Sequence, residues 1–111
     1  MLNNIKMNVT KTAKDGIVNQ ETIFHFKQSG KTVDASYFGG KIKKGYLVGL
    51  LEDSILKFSY CQLRITGETD HGISKCRLSK DPNTSKIMMT ESFKMQTENS
   101  NDTGTNVFME I

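Results

Sequence analysis

The chain has 111 residues, of which 36% are hydrophobic and 24% charged, and its formal net charge is +3. That length makes one domain, residues 1–111, the default, and the composition excludes a disordered or fibrous polymer. Residues 46–51 form the longest apolar run, six residues including Gly49, against roughly 20 for a helical membrane span.

The opening residues, Met1-Leu2-Asn3-Asn4-Ile5-Lys6, lack the apolar stretch of a signal peptide, so a cytoplasmic protein without a membrane partner is expected. Basic character concentrates in residues 1–57, with nine lysines against five acids, and the only arginines are Arg64 and Arg77. Lys41, Lys43 and Lys44 form the densest cluster. Nucleic-acid binders usually mix Arg and Lys with stacking aromatics, and the simpler reading here is a solvated strand edge, so no nucleic-acid partner is expected.

Two alanines, Ala13 and Ala35, stand against eleven threonines and nine isoleucines, which disfavours helices. Alternation then defines the elements. Ile5, Met7 and Val9 predict a first strand, and Thr22, Phe24, Phe26 and Gln28 form one face of a second. Ser29-Gly30-Lys31 turns into a third strand with Val33, Ala35 and Tyr37 on one face. Gly39-Gly40 breaks the chain before a fourth strand at about 43–51, and Glu52-Asp53-Ser54 turns it again. The fifth strand carries Leu56, Phe58, Tyr60, Gln62 and Arg64 on one face. A polar loop is expected at 67–72, then a sixth strand from Ile73 to Ser79 and a turn at Asp81-Pro82-Asn83-Thr84. Ile87, Met89, Glu91, Phe93 and Met95 share a face of the seventh strand. Asn99 to Gly104 reads as the last turn, and Thr105 to Ile111 as the last strand.

These short connections leave no room for crossover helices, so neighbouring strands run antiparallel. The fold class is all-β, a single antiparallel up-and-down β-barrel of about eight strands, which removes the exposed edges. A twisted sandwich is the alternative.

Few motifs carry chemistry. Gly40 to Gly45 starts like a phosphate loop, but Tyr46 and Leu47 occupy the Lys and Ser/Thr positions. His25 and His71 have no recognisable nucleophile context, and Cys61 and Cys76 are not spaced as a zinc site. No catalytic residue, metal or cofactor is assigned. A hairpin centred on Glu68-Thr69 would set the two cysteines opposite each other, as reduced thiols or as a redox pair. Glu91 is the anomaly, a carboxylate among four apolar residues of its own face, where burial without a partner is costly. A partner is expected among Gln28, Gln62, Arg64, Arg77 and Tyr60. The candidate interior ligand-binding set is Gln28, Tyr37, Tyr60, Gln62, Arg77, Glu91 and Phe93, which either lines a cavity or satisfies itself across the interior.

Several pieces then appear in order: Glu21-Thr22-x-Phe24-x-Phe26-x-Gln28, Tyr37-x-Gly39-Gly40, Gly45-x-Leu47-x-Gly49, Phe58-x-Tyr60-x-Gln62, Cys76-Arg77, Glu91-x-Phe93 and Thr103-Gly104-Thr105 with Glu110. Over residues 15–111 the chain resembles small bacterial proteins of about 110 residues labelled N-acetylglutamate synthase. Phe93 stands where that family usually has Trp, and Asn83-Thr84-Ser85 where it tends to have Gly. The resemblance implies a compact lipocalin/calycin-like barrel. The label implies an acyltransferase, yet the usual synthase chemistry needs a Gly-containing turn opening a helix to hold the coenzyme A pyrophosphate, and the sequence predicts neither. The first functional expectation is therefore a noncatalytic module binding a small polar or amphiphilic molecule or a protein partner. The alternatives are acyl transfer with Glu91 as general base, and a filled barrel that self-associates, for instance as a homodimer.

Overall fold

A computed structural model of the chain describes residues 1–14, 16–97 and 100–111. Eight strands follow in order: β1 (Lys6–Lys11), β2 (Ile23–Ser29), β3 (Thr32–Gly39), β4 (Ile42–Glu52), β5 (Ile55–Arg64), β6 (Thr69–Lys80), β7 (Ile87–Thr97) and β8 (Asn101–Glu110). Each pairs antiparallel with the next, and β1 closes on β8 through Met7↔Glu110 and Val9↔Phe108, giving a closed up-and-down barrel. Closure pairs what would have been two open edges, which is why the sandwich alternative is not adopted.

The turns follow from their residues. Asp53 and Ser54 both take positive φ, 52° and 65°, in the two-residue β4–β5 hairpin, a geometry whose twist matches that of the flanking strands. Gly39 and Gly40 reverse the chain between β3 and β4 at φ 114° and 61°. Two expectations are corrected. Residues 101–104 are not a turn but the start of β8, paired as Gln96↔Asn101 through Phe93↔Gly104; Asn99 lies outside the described residues. The 67–72 loop is shorter than expected, because Gly67 (φ 95°) completes the reversal and β6 begins at Thr69.

That tighter turn moves the β5–β6 register. Cys61 pairs with His71 and Cys76 with Leu56, so the cysteines are not opposite each other. They also point to opposite faces, Cys61 exposed and Cys76 buried, and both are free. A redox pair is thereby contradicted. Thiol titration of the native protein should count one rapidly reacting group, with the second appearing only on unfolding.

Alternation sends one face of every strand inward. At one end the interior is apolar: Leu2, Met7, Phe26, Val33, Leu56 and Met89 are essentially inaccessible. Further along, Phe24 stacks on Tyr37 at 4.3 Å between ring centroids and meets Phe108 edge-on at 4.8 Å. Burying each such ring contributes about 1.5–3 kcal/mol. Beyond these rings the interior turns polar. From the connection between β1 and β2, Val18 is buried in the core cluster and Ile17 packs against it.

Candidate functional site

Two polar arrays occupy the polar half of the barrel. The first follows one row of register partners, Tyr37↔Gly45, Gly45↔Gln62 and Gln62↔Asp70, across β3 to β6. Gly45 has no side chain in this row, so the Tyr37 ring lies across it; a Cβ there would come within 2.3 Å of the ring. The Tyr37 hydroxyl thereby reaches the next strand and donates to Gln62 Oε1 at 2.9 Å, while Gln62 Nε2 donates to Asp70 Oδ2 at 2.9 Å. Arg64 closes the row with a forked pair to Asp70, Nε to Oδ2 at 3.0 Å and Nη2 to Oδ1 at 2.9 Å. The Asp70 side chain is inaccessible, whereas that of Arg64 keeps 18% exposure at the barrel rim. Burial, then the nearby acidic groups, pushes the Tyr37 phenol well above its ordinary range, so it stays a neutral donor.

The second array surrounds Glu91. Asn106 stands directly opposite it on β8 and donates Nδ2 to Oε1 at 2.9 Å. Ser74 reaches it diagonally from β6, donating Oγ to Oε2 at 2.7 Å. Burial raises the Glu91 pKa, and these two hydrogen bonds pull it partly back. The other end of the Asn106 amide is also used: its Oδ1 accepts from the Ala13 backbone N at 2.8 Å. Cys76, the register partner of Glu91 on β6, is a buried thiol pushed up chiefly by burial and then by Glu91. The two interior carboxylates therefore differ in kind. Asp70 is matched by a cation, and Glu91 by neutral donors.

Between the arrays lies a cavity of about 30 Å³, lined by Ile17, Val18, Tyr60, Gln62, Glu91 and Asn106 together with Phe93 and further apolar side chains. This is room for about one water molecule. Tyr60 is half-buried on its wall, and burial raises its phenol pKa before Glu91 and Asp70 add to it. A larger concavity of about 1220 Å³ lies on the outer face of β4 to β8 and is open to solvent. The convergent buried polar groups lie inside the barrel, around the smaller cavity.

The structure brings together Tyr37, Tyr60, Gln62, Glu91 and Phe93 from the expected set around this cavity. Gln28 is not among them. It stands four residues along β2 from Phe24, accepting from Leu2 N and donating to Gly30 O, and so closes another part of the barrel. Arg77 is also excluded: Cys76 points inward, so its neighbour on β6 is exposed on the outer face. None of the five partners expected for Glu91 holds it; Ser74 and Asn106 do. Both were within reach of the sequence, since Ser74 shares the face of Cys76 and Asn106 that of the buried Phe108. Asp70 was hidden inside the expected loop.

The chain is thus a closed eight-stranded barrel with polar groups gathered in one half of its interior. A family model described as avidin-like protein matches residues 1–111. The chain belongs to the avidin-like family. No curated protein matches it. The avidin-like barrel is of the calycin type, in line with the lipocalin/calycin-like barrel implied by the sequence resemblance. Membership supports a small β-barrel family and gives no support to the synthase label.

The avidin-like chain carries one pH signature of its own. With its pKa raised in the folded state, Glu91 holds its proton more tightly folded than unfolded, so stability is fullest below the unfolded value of about 4.3 and falls as pH rises through the folded value. Glu91→Gln removes that loss while keeping partners, its carbonyl accepting from Asn106 and its amide donating to Ser74. Urea unfolding from pH 4 to 8 should show the variant at least as stable as wild type at pH 8, with a flatter profile. A variant that is markedly less stable at pH 8 would contradict this assignment.

Proposed function

We propose that this avidin-like barrel is a noncatalytic binding module that takes a compact molecule with N–H donors into the polar half of its interior. The observation that carries the reading is Glu91, a buried carboxylate matched only by neutral donors among the described residues, on the wall of a cavity with Gln62, Asn106 and Tyr60. A ligand N–H placed on a Glu91 oxygen makes a buried hydrogen bond, and a charge-assisted one wherever the carboxyl is ionised. The apolar remainder of the ligand meets Phe24, Phe58, Phe93 and Phe108. Family membership supports the same class, since avidin-like barrels typically bind small, biotin-like molecules.

Thermal-shift screening of biotin with small amides, ureas and amines tests this, because a ligand at 100 times its Kd adds about 2.7 kcal/mol of stability. At least one donor-bearing compound should raise Tm, and Glu91→Gln should weaken its binding about tenfold or more. A panel without hits, or hits indifferent to Glu91→Gln, would contradict the proposal. Acyl transfer by Glu91, which the synthase label would imply, has weaker support: every regular element among the described residues is a strand, so none offers the helix N-terminus that would hold a coenzyme A pyrophosphate. The exposed Tyr46, Val48, Leu50 and Ile73 on the outer face of β4 and β6 support a homodimer through that face.

A further inference from the structure

The interior has the groups of a binding site but room for little more than a water molecule, and part of what fills it is not barrel wall. Ile17 and Val18 belong to the non-strand segment between β1 and β2, yet they line the same cavity as Tyr60, Gln62, Glu91 and Asn106. Val18 is 9% exposed and packs into the core cluster. Hydrophobic contact of this kind is non-directional, so it can be exchanged for contact with a ligand.

The later part of this connection is tied to the barrel by Asn8 Nδ2 to Gln20 O at 3.2 Å and Thr22 Oγ1 to Gly39 O at 3.1 Å, whereas the polar attachment of its earlier part is narrow. Among the described residues, the hydrogen bond tying residues 13, 14 and 16–18 to the barrel wall is Ala13 N to Asn106 Oδ1 at 2.8 Å. The Ala13 methyl rests where Gly104 has no side chain; a Cβ on Gly104 would lie 2.8 Å from it and 2.7 Å from the Phe93 ring. Asn106 therefore has two duties on one planar amide. Its oxygen holds the segment, and its nitrogen holds Glu91.

We infer that Ile17 and Val18 form a displaceable plug in the barrel, latched by Asn106, and that a donor-bearing ligand enters by taking their place. This rests on the interior-binding reading and adds its regulation. A ligand N–H arriving at Glu91 competes with the Asn106 amide for the same carboxylate. Turning that amide to serve the ligand removes the acceptor from Ala13, so occupancy and release of the segment are coupled through one side chain. The coupling is reciprocal by linkage, and a closed plug lowers apparent affinity by the fraction of molecules that are open.

The test uses N-phenyl-1-naphthylamine, a neutral fluorescent amine with one N–H donor and apolar rings. The full-length Ile17→Ala/Val18→Ala variant should bind it at least tenfold more tightly than wild type. Equal affinity in both proteins, or binding in neither, would overturn the plug. If the probe fails in both while a screened amide still raises the Tm of wild type through Glu91, the plug fails and the binding reading stands. If the variant alone takes up the probe but no screened compound depends on Glu91, the opposite holds. Should the double variant not fold, amide hydrogen exchange on wild type decides. The Ala13 amide should then exchange at least a hundredfold faster than that of Tyr37, with little dependence on added urea. Equal rates with the same urea dependence would show that the segment opens only when the barrel unfolds, and would overturn the plug.

Discussion

Arg64→Met should destabilise the barrel by about 3 kcal/mol at neutral pH. Breaking a buried ion pair from one side typically costs about 3–5 kcal/mol, because the remaining charge is left uncompensated. Here the remaining charge is Asp70, whose side chain is inaccessible and, among the described residues, keeps only Gln62 as a side-chain donor once the guanidinium is gone. The lower end of the range applies because Arg64 lies at the rim, where water can reach Asp70 after truncation. Met keeps the apolar stem, so the loss reports on charge and not on packing. The double variant Arg64→Met/Asp70→Leu should recover much of the loss, since neither charge then remains. Urea unfolding measures both, and a single-variant loss below about 1 kcal/mol would show that Asp70 is satisfied without Arg64.

Gly45→Ala should cost a similar amount, about 3 kcal/mol. One added methyl would lie 2.3 Å from the Tyr37 ring, which is itself 2% exposed and stacked on Phe24. Overpacking of this kind costs about 1–3 kcal/mol, and shifting the ring also breaks the Tyr37–Gln62 hydrogen bond, worth about 0.5–1.5 kcal/mol. The decisive control is a double-mutant cycle with Tyr37→Ala. In that background Gly45→Ala has no ring to strike and should cost almost nothing. An undiminished cost would place the strain in the β4 backbone and not in the ring above it.

The barrel was legible because its signals were local and repeated. Period-two alternation in Phe24/Phe26, Val33/Ala35/Tyr37 and Met89/Glu91/Phe93 set the inward face of each strand, and the glycines and the Asp53-Ser54 pair marked reversals. Glu91 was visible for the same reason, as a charge out of place on an apolar face. What failed was register, which depends on where a turn closes and not on composition. Gly67 closes the β5–β6 turn early, which separates Cys61 from Cys76 and brings Asp70 opposite Gln62. The partners of Glu91 were missed because they are small. Ser74 and Asn106 are unremarkable in sequence and gain meaning only when β6 and β8 are set on either side of β7. Arg77 shows the converse, a conspicuous residue next to an inward cysteine and therefore facing out.

On the proposed function, the polar half of the interior receives a small donor-bearing ligand. The most direct measurement is a crystal structure of the full chain with the strongest thermal-shift compound bound. Its N–H should lie within hydrogen-bond distance of Glu91, with Tyr60, Gln62 and Asn106 around it. A ligand seated instead on the outer face, against Val48, Ile73 and Lys94, with the interior still filled, would contradict the claim.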